Sequence, residues 1–216
     1  MITTSQVQAT IDLAGNGSFY LVRAKEPIPQ QKTLRTVSLP IPLSAIIGRF
    51  LHNAWIVNRY FSSEEKYELS VSAAHGRRLI KIDIKDGQSL RFHVKYLVGW
   101  SDRIRMHTDI NFAVTRICNK ALFVQEASGP GIMLFEVSGN PIIATEQTGK
   151  MSADRLVAWS EDTRFKLSGA YRVADLYLNP PLLAIKGNGQ ALLDSDDNLH
   201  DMRNGILQFI RRFYVP

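Results

Sequence analysis

Leu97-Val98-Gly99-Trp100-Ser101-Asp102 and Leu156-Val157-Ala158-Trp159-Ser160-Glu161 are one hexapeptide written twice, 59 residues apart, with one small and one acidic exchange. Trp55 is the only other tryptophan, so a Trp-centred repeat with its neighbours intact points to a duplicated structural unit rather than to composition. Each copy runs Leu-Val into an aromatic and ends in Ser plus an acid. That is the pattern of a strand whose ring closes the core just before a turn. On this reading Trp100 and Trp159 are landmarks of architecture, not ligand-stacking platforms.

Upstream of the first copy, Tyr67-Glu68-Leu69-Ser70-Val71 alternates apolar and polar residues. Leu79-Ile80-Lys81-Ile82-Asp83-Ile84-Lys85 repeats the pattern up to Asp86-Gly87, a two-residue turn signal, and Leu90-Arg91-Phe92-His93-Val94-Lys95-Tyr96 resumes it, which predicts a hairpin. Upstream of the second copy stand Leu122-Phe123-Val124-Gln125, a turn at Gly129-Pro130-Gly131, Ile132-Met133-Leu134-Phe135-Glu136-Val137, a turn at Ser138-Gly139-Asn140-Pro141, and Ile142-Ile143-Ala144-Thr145. Turn starts at 15, 75, 129 and 187 are spaced by 60, 54 and 58 residues, enough for several strands per unit. The expected fold is mainly β, an antiparallel sandwich or barrel-like scaffold of internally repeated units.

Two segments depart from the strand pattern. Over 44–61, Ile47, Phe50, Leu51, Ala54, Val57 and Phe61 follow three-and-four spacing behind Ser44, a capping residue, which predicts a helix. At the C-terminus Asp194-Ser195-Asp196-Asp197 precedes Leu199, Met202, Ile206, Phe209, Ile210 and Phe213 on one helical face. The expected organisation is a single all-β domain over 1–195 with a helical insertion at 44–61, followed by an amphipathic helix over 196–216.

Hydrophobic residues at 45% and charged ones at 21% exclude a disordered chain, and the lone Cys118 cannot close an internal disulfide. The N-terminal residues show neither a secretory nor an organelle signal, and the apolar stretch over 41–57 is interrupted by Pro42, Ser44, Arg49, His52 and Asn53. A cytoplasmic location is therefore expected. The net charge of +6 favours anionic partners in general, yet the cations are dispersed rather than gathered in a basic-aromatic stripe.

No local catalytic or metal signature stands out. Gly129 and Gly131 lie between strand-like residues, whereas a phosphate cradle joins a strand to a helix, so the pair is expected to supply positive φ in a hairpin turn. His52, His75, His93, His107 and His200 form no closely spaced ligand pair, and His93 stands among Arg91 and Lys95. No Gly-X-Ser-X-Gly elbow is present, and Cys118 has no histidine near it in sequence. No cofactor, metal or small-molecule substrate is expected. The candidate interaction surface is Arg203, Arg211 and Arg212 on the C-terminal helix, whose apolar stripe is expected to dock on the sheet or on another copy of the chain, the alternative being an anionic membrane with the arginines flanking it.

Over 122–167, the succession Leu122-Phe123-Val124, Gly129-Pro130-Gly131-Ile132-Met133-Leu134-Phe135-Glu136-Val137-Ser138-Gly139, Asp154-Arg155-Leu156-Val157-Ala158-Trp159 and Arg164-Phe165-Lys166-Leu167 resembles the altered-inheritance-of-mitochondria protein 24 family. The first copy of the pattern, over 76–105, supports it. The resemblance implies an all-β fold similar to that of the tryptophan RNA-binding attenuation protein, with repeated β units and a tendency to oligomerise. It implies no catalytic residues; fungal members support mitochondrial inner-membrane organisation. A mitochondrial presequence is missing here, which makes a prokaryotic-type member the expectation, and the two helical segments lie outside the family's pattern.

Three functional readings follow. The first is a non-enzymatic oligomeric scaffold or interaction protein, a homo-oligomer that also takes a protein partner. The alternative is a binding module for an anionic surface, acidic lipid or nucleic acid. The third is an enzyme whose site is assembled from distant strands, for which no acid, base or nucleophile set is visible.

Overall fold

A computed structural model of the chain describes residues 3–14, 17–22, 34–38, 57–61, 66–110, 123–169 and 181–195. In chain order the strands are β1 (Thr3–Gln6), β2 (Gln8–Ala14), β3 (Ser18–Leu21), β4 (Leu34–Ser38), β5 (Val57–Phe61), β6 (Lys66–Ser72), β7 (Arg78–Ile84), β8 (Ser89–Phe92) and β9 (Leu97–Ser101). They continue with β10 (Arg105–Ile110), β11 (Phe123–Ser128), β12 (Gly131–Val137), β13 (Pro141–Ala144), β14 (Lys150–Ser152), β15 (Leu156–Ser160), β16 (Arg164–Leu167), β17 (Leu182–Lys186) and β18 (Ala191–Asp194). Between them, among the described residues, lie only short 3-10 turns such as Val94–Tyr96 and Ala153–Arg155. The protein is mainly β and its sheets are antiparallel.

The strands gather into two compact units, each discontinuous in sequence. The first takes Met1–Gln88, Lys95–Arg105 and Ser128–Gly139, and the second takes the stretches between and after. In the first, a sheet runs β1-β7-β12-β9-β3-β5-β4, with β2 and β6 forming a separate pair. In the second, a sheet runs β10-β11-β8-β15-β18-β13, with β14-β17-β16 as a smaller one. Read from β7 and from β13, the two large sheets have the same order strand for strand: β12 answers to β18, β9 to β15, β3 to β8, β5 to β11 and β4 to β10. Only β1 lacks a counterpart among the described residues.

The correspondence extends to single residues. In the first sheet Met133 lies opposite Trp100, Leu134 opposite Gly99 and Phe135 opposite Leu97, so Val98 is skipped as a bulge. In the second, Ala191 lies opposite Trp159, Leu192 opposite Ala158 and Leu193 opposite Leu156, and Val157 is skipped. The carbonyl of each skipped residue is taken up on the other side of its strand: the Val22 N–H donates to Val98 O at 2.7 Å, and the His93 N–H to Val157 O at 2.9 Å. Each bulge thereby keeps its backbone acceptor satisfied.

Opposite faces of the two sheets carry the small sheets. In the first unit, Phe19, Leu21, Val98 and Leu134 pack with Ala9 and Ile11 of β2 and Leu69 and Val71 of β6. In the second, Trp159, Leu156, Ala191 and Leu193 pack with Met151, Leu183 and Ile185 of β14 and β17. The remaining faces are buried too, as Ile80, Ile82, Met133 and Phe135 show in one unit and Leu90, Phe92 and Leu192 in the other. Strands buried on both sides read as continuous apolar runs, which weakens any period-2 signal.

Several sequence expectations change accordingly. The Asp86-Gly87 turn forms, with Gly87 at φ 73, but β7 and β8 do not pair: they enter different sheets. The turn at Gly129-Pro130-Gly131 likewise joins β11 of one sheet to β12 of the other. Turn residues specify a local reversal, while the partner of each strand is chosen by non-local burial. The predicted helix over 44–61 is wrong in its last five residues, which form β5. Val57 and Phe61, the two residues of the helical pattern that fall in it, are four apart, a spacing that shares one face in a strand as it does in a helix. The rest of that segment, and the C-terminal helix, lie outside the described residues.

Candidate functional site

The two Trp strands build equivalent rows of side chains across their sheets. In the first unit the row is Arg59, Tyr20 and Trp100, each directly opposite the next on β5, β3 and β9. Direct opposition on an antiparallel pair places these side chains on one face. Tyr20 and Trp100 stack with ring centroids 5.4 Å apart and planes 22° from parallel. The Arg59 guanidinium lies 5.9 Å from the Tyr20 centroid and 5.7 Å from that of Phe61, within cation–π range. Arg59 Nε and Nη2 both donate to Ser18 Oγ, at 3.0 and 2.8 Å, which holds the guanidinium over the rings. Arg59 is exposed, and Tyr20 and Trp100 are half-buried.

In the second unit the corresponding positions carry Arg91 opposite Trp159. Arg91 Nε donates to Glu126 Oε2 at 2.9 Å, and His107 Nε2 lies 3.5 Å from Glu126 Oε1. Glu126 is buried, so its charge is balanced by a guanidinium rather than by solvent. Trp159 is only 4% exposed. Phe165 of β16 meets its ring edge-on at 5.9 Å and His93 lies tilted at 5.4 Å. The same motif thus yields a half-exposed cation–aromatic ladder in one unit and a covered ion pair beside a core tryptophan in the other.

The serine that follows each tryptophan has a backbone partner. Ser101 Oγ accepts the N–H of Ile132 at 3.0 Å, and Ser160 Oγ accepts that of Gln190 at 3.3 Å. Both partners directly follow a Gly-X-Gly, at Gly129-Pro130-Gly131 and Gly187-Asn188-Gly189. The turn after each tryptophan closes identically, Ile104 N–H to Ser101 O at 3.1 Å and Thr163 N–H to Ser160 O at 3.0 Å. A Cβ on Gly131 would stand 2.4 Å from Ser101 Oγ, and one on Gly189 2.5 Å from Thr163 Cα. Gly129 and Gly131 are absent from the positive-φ glycines, so close approach, not the expected left-handed turn, is what demands them.

Trp100, Trp159, Gly129 and Gly131 therefore belong to one repeated strand-and-turn assembly in two editions. Arg203, Arg211 and Arg212, together with Cys118, His52 and His200, lie outside the described residues. Of the other histidines, His75 and His107 are exposed and in separate units, and His93 packs on Trp159. Among the described residues no three His, Cys, Asp or Glu side chains are grouped to hold a metal ion, and no helix is long and apolar enough to cross a membrane. Arg59, Arg91 and Glu126 were not singled out by sequence reasoning. They neighbour the Trp strands only through pairing, and no local motif marks them.

Comparison with known proteins bears on the fold alone. The chain is similar to a protein of Streptococcus pyogenes solved by X-ray crystallography, with a TM-score of 0.61 at 14% identity, over 95% of this chain and 94% of that one. No protein-family model and no curated protein matches the sequence.

Proposed function

We propose that this chain is a non-enzymatic scaffold that works as an oligomer, a prokaryotic-type member of the altered-inheritance-of-mitochondria protein 24 family. The observation that carries the reading is where the duplicated motif spends its side chains. Both tryptophans, both serines and the Gly-X-Gly turns are engaged in joining strand to strand, and the serine and turn contacts match position by position in two sheets. A catalytic duplication would gather acid, base or nucleophile at one of the two rows, whereas Arg91 and Glu126 are occupied with each other. Size-exclusion chromatography coupled to light scattering tests the proposal. A mass that is a multiple of 24.3 kDa at micromolar concentration is expected, and a strict monomer overturns the oligomeric part.

A second reading, attachment to an anionic surface, draws support from Arg59, exposed above Tyr20 and Phe61. A guanidinium held on aromatic rings presents its remaining donors in a set direction, which suits phosphate or carboxylate groups. Binding to acidic vesicles or to single-stranded nucleic acid should then weaken with salt and with Arg59→Ala. No salt-sensitive binding to either would remove this reading.

A further inference from the structure

The two large sheets match strand for strand except at one edge. In the first, β7 carries β1 on its outer side, with Thr3 opposite Ile82, Thr4 opposite Lys81, Ser5 opposite Ile80 and Gln6 opposite Leu79. In the second, β13 stands where β7 does, and β18 is its one partner among the described residues. Matching the registers on β12 and β18 sets Ile143 against Lys81 and Ile142 against Ile80. A position that carries a lysine beneath a covering strand in one unit carries an isoleucine at an edge in the other.

The outward groups of β13 follow from its inner pairing. Ser195 N–H donates to Asn140 O at 3.0 Å and Asn140 N–H to Ser195 Oγ at 2.6 Å, so position 140 faces β18. Alternation then turns Ile142 and Ala144 inward and Pro141 and Ile143 outward. Pro141 has no N–H to offer, the usual condition of an edge proline. The Thr145 N–H, next on the outward side, donates to Thr148 Oγ1 at 2.8 Å. Among the described residues, Ile143 is left as the one presenting both a donor and an acceptor along this edge. Ile143 is 44% exposed and Ile142 36%, and no charged residue occurs from Pro141 to Thr145. Exposed strand edges are ordinarily guarded by lysine or another charge, and this one is not.

Building on the oligomeric reading above, we propose that β13 is the strand by which two copies of this chain join, antiparallel about a two-fold axis at Ile143, so that the six-stranded sheet continues from one copy into the next. About a two-fold axis at Ile143 the axial residue faces its own symmetry mate, so a charge there would meet a like charge. The apolar, uncharged β13 suits self-pairing for that reason. Ile143 of each copy exchanges both backbone hydrogen bonds with the other, and Ile142 lies beside the other copy's Ala144. The four-residue pairing of β1 on β7 shows, inside the same chain, that the equivalent edge accepts a strand of this length.

The test uses the full chain at micromolar concentration, comparing wild type with Ile143→Lys and Ile143→Cys. Light scattering should show the wild-type mass halved by Ile143→Lys, with far-ultraviolet circular dichroism and the Trp159 fluorescence of the same sheet unchanged. Ile143→Cys should give a covalent dimer on a non-reducing gel, lost on reduction and absent from wild type with Cys118 alone. This second variant keeps the proposal falsifiable if the lysine disturbs folding. A wild-type oligomer whose mass Ile143→Lys leaves intact, with no cross-link through Ile143→Cys, overturns the β13 contact and leaves the oligomeric reading standing. A monomeric wild type overturns both.

Discussion

Ser101 Oγ accepts the backbone N–H of Ile132 at 3.0 Å, and 59 residues on its counterpart Ser160 accepts that of Gln190 at 3.3 Å. The hydroxyl thus ties the end of each Trp strand to the start of the neighbouring strand, at the end of the pair away from the shared bulge. Ser101→Ala leaves the Ile132 amide without that acceptor, at a cost of about 1–2 kcal/mol. Ser160→Ala should cost at least as much, since its hydroxyl also bonds Thr163 Oγ1 at 2.8 Å. Urea unfolding of the two variants checks the order, and equal midpoints with wild type would remove the serines from the joint.

The exchange of Gly99 for Ala158 is not neutral. A Cβ on Gly99 would come within 2.4 Å of the Tyr20 carbonyl and 2.6 Å of the Phe19 ring, whereas Ala158 is fully buried in the second sheet. Gly99→Ala should destabilise by about 1–3 kcal/mol through overpacking. Ala158→Gly should cost about 0.5–1 kcal/mol through backbone entropy. Thermal denaturation of both separates them, and a Gly99→Ala protein as stable as wild type would contradict the crowding.

Burial predicts opposite behaviour for the two tryptophans. Trp159→Phe should remove a blue-shifted emission component shielded from acrylamide, and Trp100→Phe a more accessible one. Replacing Trp159 by alanine should cost about 3–5 kcal/mol, and Trp100→Ala markedly less because its ring is only half-buried. Equal losses would mean that the small sheet does not shield Trp159 as described.

Arg91 and Glu126 should behave as a pair. With a buried carboxylate left without its guanidinium, Arg91→Ala is expected to destabilise by about 3 kcal/mol. Replacing both residues with Met and Leu should recover most of that loss, because no buried charge remains. A double-mutant cycle from urea curves measures the coupling, and additive effects would show that the contact carries none.

Much of the strand content was legible in the sequence. β6, β7, β12 and β15 stand where alternation or the Trp motif places them, and the Asp86-Gly87 reversal forms as its residues require. The helical pattern over 44–61 failed at Val57 and Phe61 because residues four apart share a face in a strand as well as in a helix. The Arg59 and Arg91 rows were invisible for a different reason. Arg59 meets Tyr20, and Arg91 meets Glu126, only once strands distant in sequence are paired.

By itself the sequence determined that the chain is β and duplicated, because tryptophan-centred strands and glycine turns are written locally and twice. It also determined where the chain reverses. Only the tertiary structure decided that strands joined by these turns go to different sheets, and that Trp159 is covered while Trp100 is half open. Those outcomes depend on which apolar faces meet across long separations, and near-identical hexapeptides carry no information about the sheet laid over them. The repeated Leu-Val-X-Trp-Ser thus specifies a joint, and its surroundings specify what the joint faces.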